Sequence, residues 1–249
     1  MINIYSEEEI KKIKKSGHLN KMTQDYIKGL IKPGISTKYL DDEAGKFIIS
    51  HGGKPASLGY EGYPGNICIS VNEEIVHGIG RDDKILKEGD IITIDILVEL
   101  DGFISDSANT HPVGKISKDN EYLLHHTEKA LYVGLKELKA GIPLGNVSAR
   151  IQQYAEKHGL SVPREIGGHG VGRYVHEEPF VPNFGKYGEG IILKKGMVLA
   201  IEPMLSRGKR EVIILSDKWT ICTKDGSNSA HFEHTVAITD EGYEILTGE

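Results

Sequence analysis

The stretches Leu86-Lys-Glu-Gly-Asp-Ile-Ile-Thr-Ile-Asp95 and Leu193-Lys-Lys-Gly-Met-Val-Leu-Ala-Ile-Glu202 stand 107 residues apart and share one pattern. Each has a glycine turn, then a short apolar run, then an acid. The same offset relates Lys32-Pro-Gly-Ile35 to Lys139-Ala-Gly-Ile142 and His51-Gly52 to His158-Gly159. It also relates Leu40, Ala44, Phe47 and Ile48 to Val147, Ile151, Tyr154 and Ala155, a spacing that lines one face of a helix. Two long units argue for a duplicated half rather than a solenoid, which needs three or more shorter repeats. The expected fold class is α+β with a pseudo-two-fold axis. The chain reads as a single domain, 1–249, with halves of about 1–115 and 116–249 and a site at the seam between them.

Each half reads as helix, turn, helix, then strands. Ser6 followed by Glu9 is a capping-box signature, and Ile10, Ile13 and Leu19 start an apolar face. Pro33-Gly34 stops that helix, and the next ends at His51-Gly52-Gly53. In the second half a helix is expected from about Asp119 to Lys139, with Leu124, Thr127, Leu131 and Leu138 on one face, and its successor ends at His158-Gly159. Strands are expected at Ile91–Val98, Met197–Ile201 and Thr235–Ile238, each bounded by Gly, Asp or Pro.

Composition narrows the function. Thirty Lys and Arg against 36 Asp and Glu leave a net charge of −6, which disfavours a nucleic-acid or anionic-membrane binder. No apolar run approaches the ~18 residues of a membrane span, and no signal peptide is visible. Two cysteines, Cys68 and Cys222, suit a reducing compartment. The expectation is a cytoplasmic protein.

Acids sit where strands should be apolar. Asp95 is flanked by Ile94 and Ile96, and Glu202 follows Ala200-Ile201 at the equivalent place. A buried lone carboxylate is costly unless paired, protonated or bound to a metal. Asp106 follows the turn Asp101-Gly102, Glu233 enters an apolar strand, and His169 lies in Gly167-Gly-His-Gly-Val-Gly172. Glycines on both sides of a histidine let the backbone come close to a ligand. Four carboxylates and one imidazole suit two hard divalent cations, and oxygen-rich ligation favours Mn, Fe(II), Co or Mg over a thiolate zinc site.

The ordered segments Asn72-Glu-Glu-Ile-Val-His-Gly-Ile79, Gly89–Asp95, Gly102-Phe-Ile-Ser-Asp106, Gly168-His-Gly-Val-Gly-Arg173, His176-Glu-Glu-Pro179, Ile201-Glu-Pro203 and Phe232-Glu-His-Thr235 together resemble the type I methionine aminopeptidases. That resemblance implies the pita-bread (creatinase/aminopeptidase) fold, an antiparallel sheet with helices packed on its outer face. It implies five ligands for two divalent ions per chain: Asp106 and Glu233 bridging, Asp95 on one ion, His169 and Glu202 on the other. The ligand set does not separate Co, Mn, Fe(II), Zn and Ni. His77, His176 and Glu202 match the catalytic groups. Tyr60, Tyr63, Cys68 and Trp219, with His77 and His176, match the substrate pocket. The implied reaction removes initiator methionine from nascent proteins, preferring a small second residue. The implied protein is a monomer whose surface makes any ribosome contact.

Departures from the family pattern at Val175, Glu61 and His111 bear on pocket shape. Two rival readings of the same fold are a peptide-binding module without catalysis and a proline-directed peptidase. The first is disfavoured because all five ligands are present, the second because no N-terminal domain precedes the first helix.

Overall fold

The computed structural model describes residues 1–248. The capping box forms as expected: Ser6 N–H donates to Glu9 Oε2 (2.9 Å) and Glu9 N–H donates to Ser6 Oγ (3.3 Å). Helix α1 then runs Glu7–Leu30, and Gly34 turns the chain with φ +90°. Helix α2 (Thr37–Ser50) leads to the short strand β1 (Lys54–Pro55), then β2 (Cys68–Val71) and β3 (Glu74–Val76). The hairpin β4 (Ile91–Leu100) and β5 (Phe103–Pro112) turns at Asp101-Gly102, both at positive φ.

The second half repeats this order. Helices α3 (Lys118–Leu135) and α4 (Leu144–Lys157) precede β6 (Gly167–Gly170), β7 (Glu177–Pro182) and β8 (Val198–Ile201). Four short strands follow: β9 (Met204–Ser206), β10 (Val212–Ile214), β11 (Ile221–Thr223) and β12 (Ser229–His231). The chain ends with β13 (His234–Ile238) and β14 (Tyr243–Ile245). Helix α3 is shorter than the sequence suggests. It stops at Leu135, and Leu138 is buried from the turn that follows rather than from the helix face. Leu123, not Leu124, points fully inward.

The repeat holds at the level of single hydrogen bonds. Gly34 N–H donates to Leu86 O and Gly141 N–H to Leu193 O, both at 2.8 Å. Isolated bridges join Ser36 to Ile85 and Pro143 to Ile192. Helices α2 and α4 end alike, with His51 Nδ1 on Phe47 O and His158 Nδ1 on Tyr154 O, both at 2.8 Å. The repeated His-Gly pair therefore closes a helix.

In the first half β4 is flanked by β2, β1 and β5, all antiparallel. In the second the order is β14-β13-β8-β6-β7, also antiparallel. The α1/α2 layer packs on the first sheet through Leu19, Ile27, Leu40 and Ile48, against Ile69, Ile94 and Ile96. The α3/α4 layer packs on the second through Leu131, Val147 and Ile151, against Leu199, Ile201 and Val236. The sheets meet where β5 touches β13. There Asp106 N–H donates to Thr235 Oγ1 (2.8 Å), the Thr235 hydroxyl donates to Asp106 O (2.7 Å), and Glu233 N–H donates to Ala108 O (2.9 Å). This is an α+β pita-bread fold with pseudo-two-fold symmetry, helices outside and the seam inside. Among the described residues no helix is long and apolar enough to cross a membrane.

Candidate metal centre

The seam gathers the acids. On the β4–β5 hairpin Asp95 pairs with Ala108 and Leu97 with Asp106, so period-two alternation sets both aspartates on one face. In the second sheet His169 pairs with Ala200, and Glu202 lies two residues further along, on the same face. Ile201 pairs with His234, so Glu202 and Glu233 flank the next position of the ladder. Each half thus contributes from strands whose other face is anchored in core.

All five side chains are buried. His169 Nε2 lies 3.6 Å from Asp106 Oδ2 and 3.5 Å from Glu202 Oε1. Asp95 Oδ1, Asp106 Oδ1 and Glu233 Oε1 are buried without a hydrogen-bond partner. Burial raises the Asp95 carboxyl to about 6 and raises Asp106, Glu202 and Glu233 as well, with the neighbouring carboxylates adding to Asp106 and Glu233. Burial also keeps His169 neutral, its pKa pushed down to about 3. Orphaned carboxylate oxygens around a neutral imidazole need positive charge to ionise together. That donor set fits a hard divalent cation. Two clusters have ligand atoms close enough to share an ion: Asp106, His169 and Glu233, and Glu202, His231 and Glu233.

His231 is the residue that sequence reading passed over. It is 1% exposed, and neither ring nitrogen has a hydrogen-bond partner. Its signal was present: it lies two residues before Glu233, the separation that puts side chains on one face of an extended segment.

The acids form the floor of a cavity of about 560 Å³, within the usual range for small-ligand sites. Tyr60, Tyr63, Cys68, His77, His176 and Trp219 all line it. Trp219 meets Tyr63 edge to face, ring centroids 5.2 Å apart. The Tyr63 hydroxyl donates to Gly78 O (2.7 Å) and so braces the Gly78–Ile79 peptide, one residue beyond His77. His77 itself has φ +59°, a left-handed backbone uncommon outside glycine. Gly78 beside it packs closely on β2, where a Cβ would stand 2.1 Å from Ile69 O. Burial pushes His77 down to about 4. His176 stands at the exposed rim, its Nδ1 3.0 Å from Tyr60 Oη and its ring 4.3 Å from that of His169. Leu97, Ile166, Phe180 and Met204 also line the cavity and were not anticipated.

Two expectations change. The glycines around His169 serve strand packing rather than close approach to a ligand. A Cβ at Gly168 would lie 2.2 Å from Ala200 O and one at Gly170 2.4 Å from Glu178 O, so β6 is pressed between β7 and β8. Of the departures, Glu61 and Val175 do line the cavity, but His111 does not. It sits on β5 beside Lys28 and Asp25 of α1.

Residues 11–240 match the model of metallopeptidase family M24. The chain is 50% identical over 247 residues to methionine aminopeptidase 1 of Bacillus subtilis (strain 168), covering 99% of both. It superposes on the crystal structure of methionine aminopeptidase from Rickettsia prowazekii with TM-score 0.98 and 41% identity, covering 100% of each chain. The Xaa-Pro dipeptidase of Bacillus anthracis shares the fold alone, at TM-score 0.80 and 22% identity over 99% of this chain and 62% of that one. The chain belongs to metallopeptidase family M24 and, within it, to the methionine aminopeptidases.

Proposed function

We propose that this chain hydrolyses the first peptide bond of polypeptides that begin with methionine, preferring a small second residue, at a pair of divalent ions. The observation that carries the reading is the convergence of four buried carboxylates and one imidazole on the floor of an aromatic-walled cavity. Asp106 and Glu233 would hold both ions, Asp95 one, and His169 with Glu202 the other. Four ionised carboxylates match the charge of two divalent cations, and Co, Mn, Fe(II), Zn and Ni all accept such donors. When bound, the ions supply Lewis acidity and make hydroxide available near neutral pH.

The chain's own groups do the rest. A Glu202 carboxylate oxygen accepts the proton of the attacking water and returns it to the departing amine. His77, neutral at physiological pH, hydrogen-bonds the scissile amide. His176, oriented by Tyr60, donates to the oxygen on which negative charge develops. Tyr63, Trp219 and Cys68 enclose the methionine thioether, which favours soft, aromatic surroundings. Glu61 and Val175 shape the outer part of that pocket. In this reading 1–249 is one catalytic domain of two halves. It acts as a cytoplasmic monomer on nascent chains and meets the ribosome, if at all, through its surface.

The test is cleavage of Met-Ala-Ser, Leu-Ala-Ser and Ala-Pro-Ser by chelator-stripped protein, with and without added Mn(II) or Co(II). Only Met-Ala-Ser is cleaved, and only with metal. A metal-independent rate, or equal cleavage of the leucine peptide, overturns the reading. Under the same conditions His77→Ala lowers kcat by ~100-fold and leaves metal bound.

A further inference from the structure

The Glu202 carboxylate lies between two imidazoles. Its Oε1 faces His169 Nε2 at 3.5 Å, and its Oε2 faces His231 Nε2 at 3.5 Å. The second imidazole is also 3.7 Å from Glu233 Oε2. His231 belongs to none of the roles above, yet it is buried, without a partner at either nitrogen, and aimed at two of the acids. Its backbone is held firmly. His231 N–H donates to Thr110 Oγ1 (2.8 Å), the Thr110 hydroxyl donates back to His231 O (2.9 Å), and β12 pairs with β9 at His231 and Met204.

We propose that His231 is a positioning residue of the metal centre, whose Nε2–H holds the Glu202 carboxylate by Oε2 and braces it against Glu233. This inference rests on reading the site as a metal centre.

The tautomer follows from the surroundings. A neutral imidazole carries one N–H. On Nδ1 that N–H would be buried with no acceptor, and the bare Nε2 lone pair would face two carboxylate oxygens. On Nε2 it points at both oxygens and leaves only an acceptor unpaired. A charge-assisted hydrogen bond closes at roughly 2.8 Å, so an approach of roughly 0.7 Å completes the contact with Glu202. Such a bond orients a metal-facing carboxylate from behind. Loss of an outer partner of this kind typically weakens metal binding by about 10–100-fold. His231 thereby leaves Oε1 of Glu202 for the ion-facing side and governs the rotamer of the group proposed to carry the proton.

The experiment titrates MnCl₂ into the chelator-stripped full chain by calorimetry, for wild type, His231→Gln and His231→Leu. Wild type binds. His231→Gln, which keeps an N–H donor of similar reach, binds close to wild type. His231→Leu binds about 10–100-fold more weakly. Equal loss in both variants overturns the proposal, because it makes the imidazole lone pair the active element. Unchanged affinity in both also overturns it. Failure of wild type itself to bind Mn(II) instead removes the metal reading. Independently of any variant, long-range ¹H–¹⁵N NMR of the histidine-labelled protein loaded with diamagnetic Zn(II), whose charge keeps the carboxylates ionised, reports the His231 tautomer. Nε2–H is expected, and Nδ1–H overturns the proposal.

Discussion

Helices α1 and α3 open the two halves, yet polar contacts play different parts in seating them. Helix α1 reaches the β4–β5 hairpin with buried polar side chains. The Ser16 hydroxyl donates to Val98 O (2.6 Å), Asn20 Nδ2 to Ile96 O (2.6 Å) and Gln24 Nε2 to Ile94 O (3.0 Å). Gln24 and Asn20 also bond Ser107, through its O and Oγ. The steps match. Four helical residues rise about 6.0 Å and two strand residues about 6.6 Å, so one turn of α1 keeps pace with every second carbonyl of β4. Helix α3 has no such ladder. Leu123, Ala130, Leu131 and Leu135 bury into the cluster that holds Val147, Ile151, Leu199 and Ile201. Thr127 spends its hydroxyl on its own helix, at Leu123 O (2.8 Å).

The difference teaches where directionality is needed. Two acids of the first half sit on one hairpin, and hydrogen bonds from behind fix that hairpin's height and twist as apolar contact cannot. In the second half the ligands come from three separate segments around β6, β8 and β13. Their alignment is set by the sheet and by the glycines of β6, so the helix behind need only supply apolar area.

That contrast can be broken by two truncations. Leu131→Ala leaves a cavity in the second half and destabilises by about 2–5 kcal/mol. Asn20→Ala removes one rung, takes from the buried Ser107 hydroxyl its Asn20 Oδ1 acceptor and costs about 1–3 kcal/mol. Urea unfolding of the stripped protein measures both. The sharper readout is metal affinity of the folded variants. Asn20→Ala weakens Mn(II) binding because it loosens the Asp95 strand, and Leu131→Ala leaves it unchanged. The reverse order would mean that apolar packing, not the ladder, holds the aspartates in place.

The same contrast explains what could be read in advance. The apolar faces of α2 and α4 are visible as spacing, and Leu40, Ala44, Ile48, Val147, Ile151 and Ala155 are all buried. Asp95 and Glu202 stand out because an acid interrupts an apolar strand. The seat of α1 is invisible to the same logic. Ser16, Asn20 and Gln24 are polar and carry no apolar spacing, and the β4 carbonyls opposite them are what make their face internal. His51 and His158 mark helix ends in the sequence, but the part their rings play there is set by the carbonyl four residues back. His231 escaped because its relation to Glu202 depends on β12 pairing with β9, a contact that no local spacing encodes.

The smallest expected effect tests whether the polar seat has an acid-sensitive member. His111 lies on β5 opposite Ile92, beside Lys28 and Asp25 of α1, with its Nε2 buried and unpartnered. Burial, and to a smaller degree Lys28, push its pKa down to about 4 from 6.5. The folded state therefore disfavours the proton that the unfolded chain accepts. Stability is fully present above about pH 6.5 and falls as pH drops through that value toward 4, because the unfolded state binds the proton first. His111→Val, a side chain suited to a strand, removes this loss. Between pH 7 and pH 4.5 the melting temperature of the stripped variant then falls less than that of wild type, by a few degrees. The two proteins must be compared without metal, since acid also protonates the carboxylates of the seam. Parallel curves would mean that His111 reaches solvent in the folded state, and that the acid sensitivity of the first half lies elsewhere than behind β5.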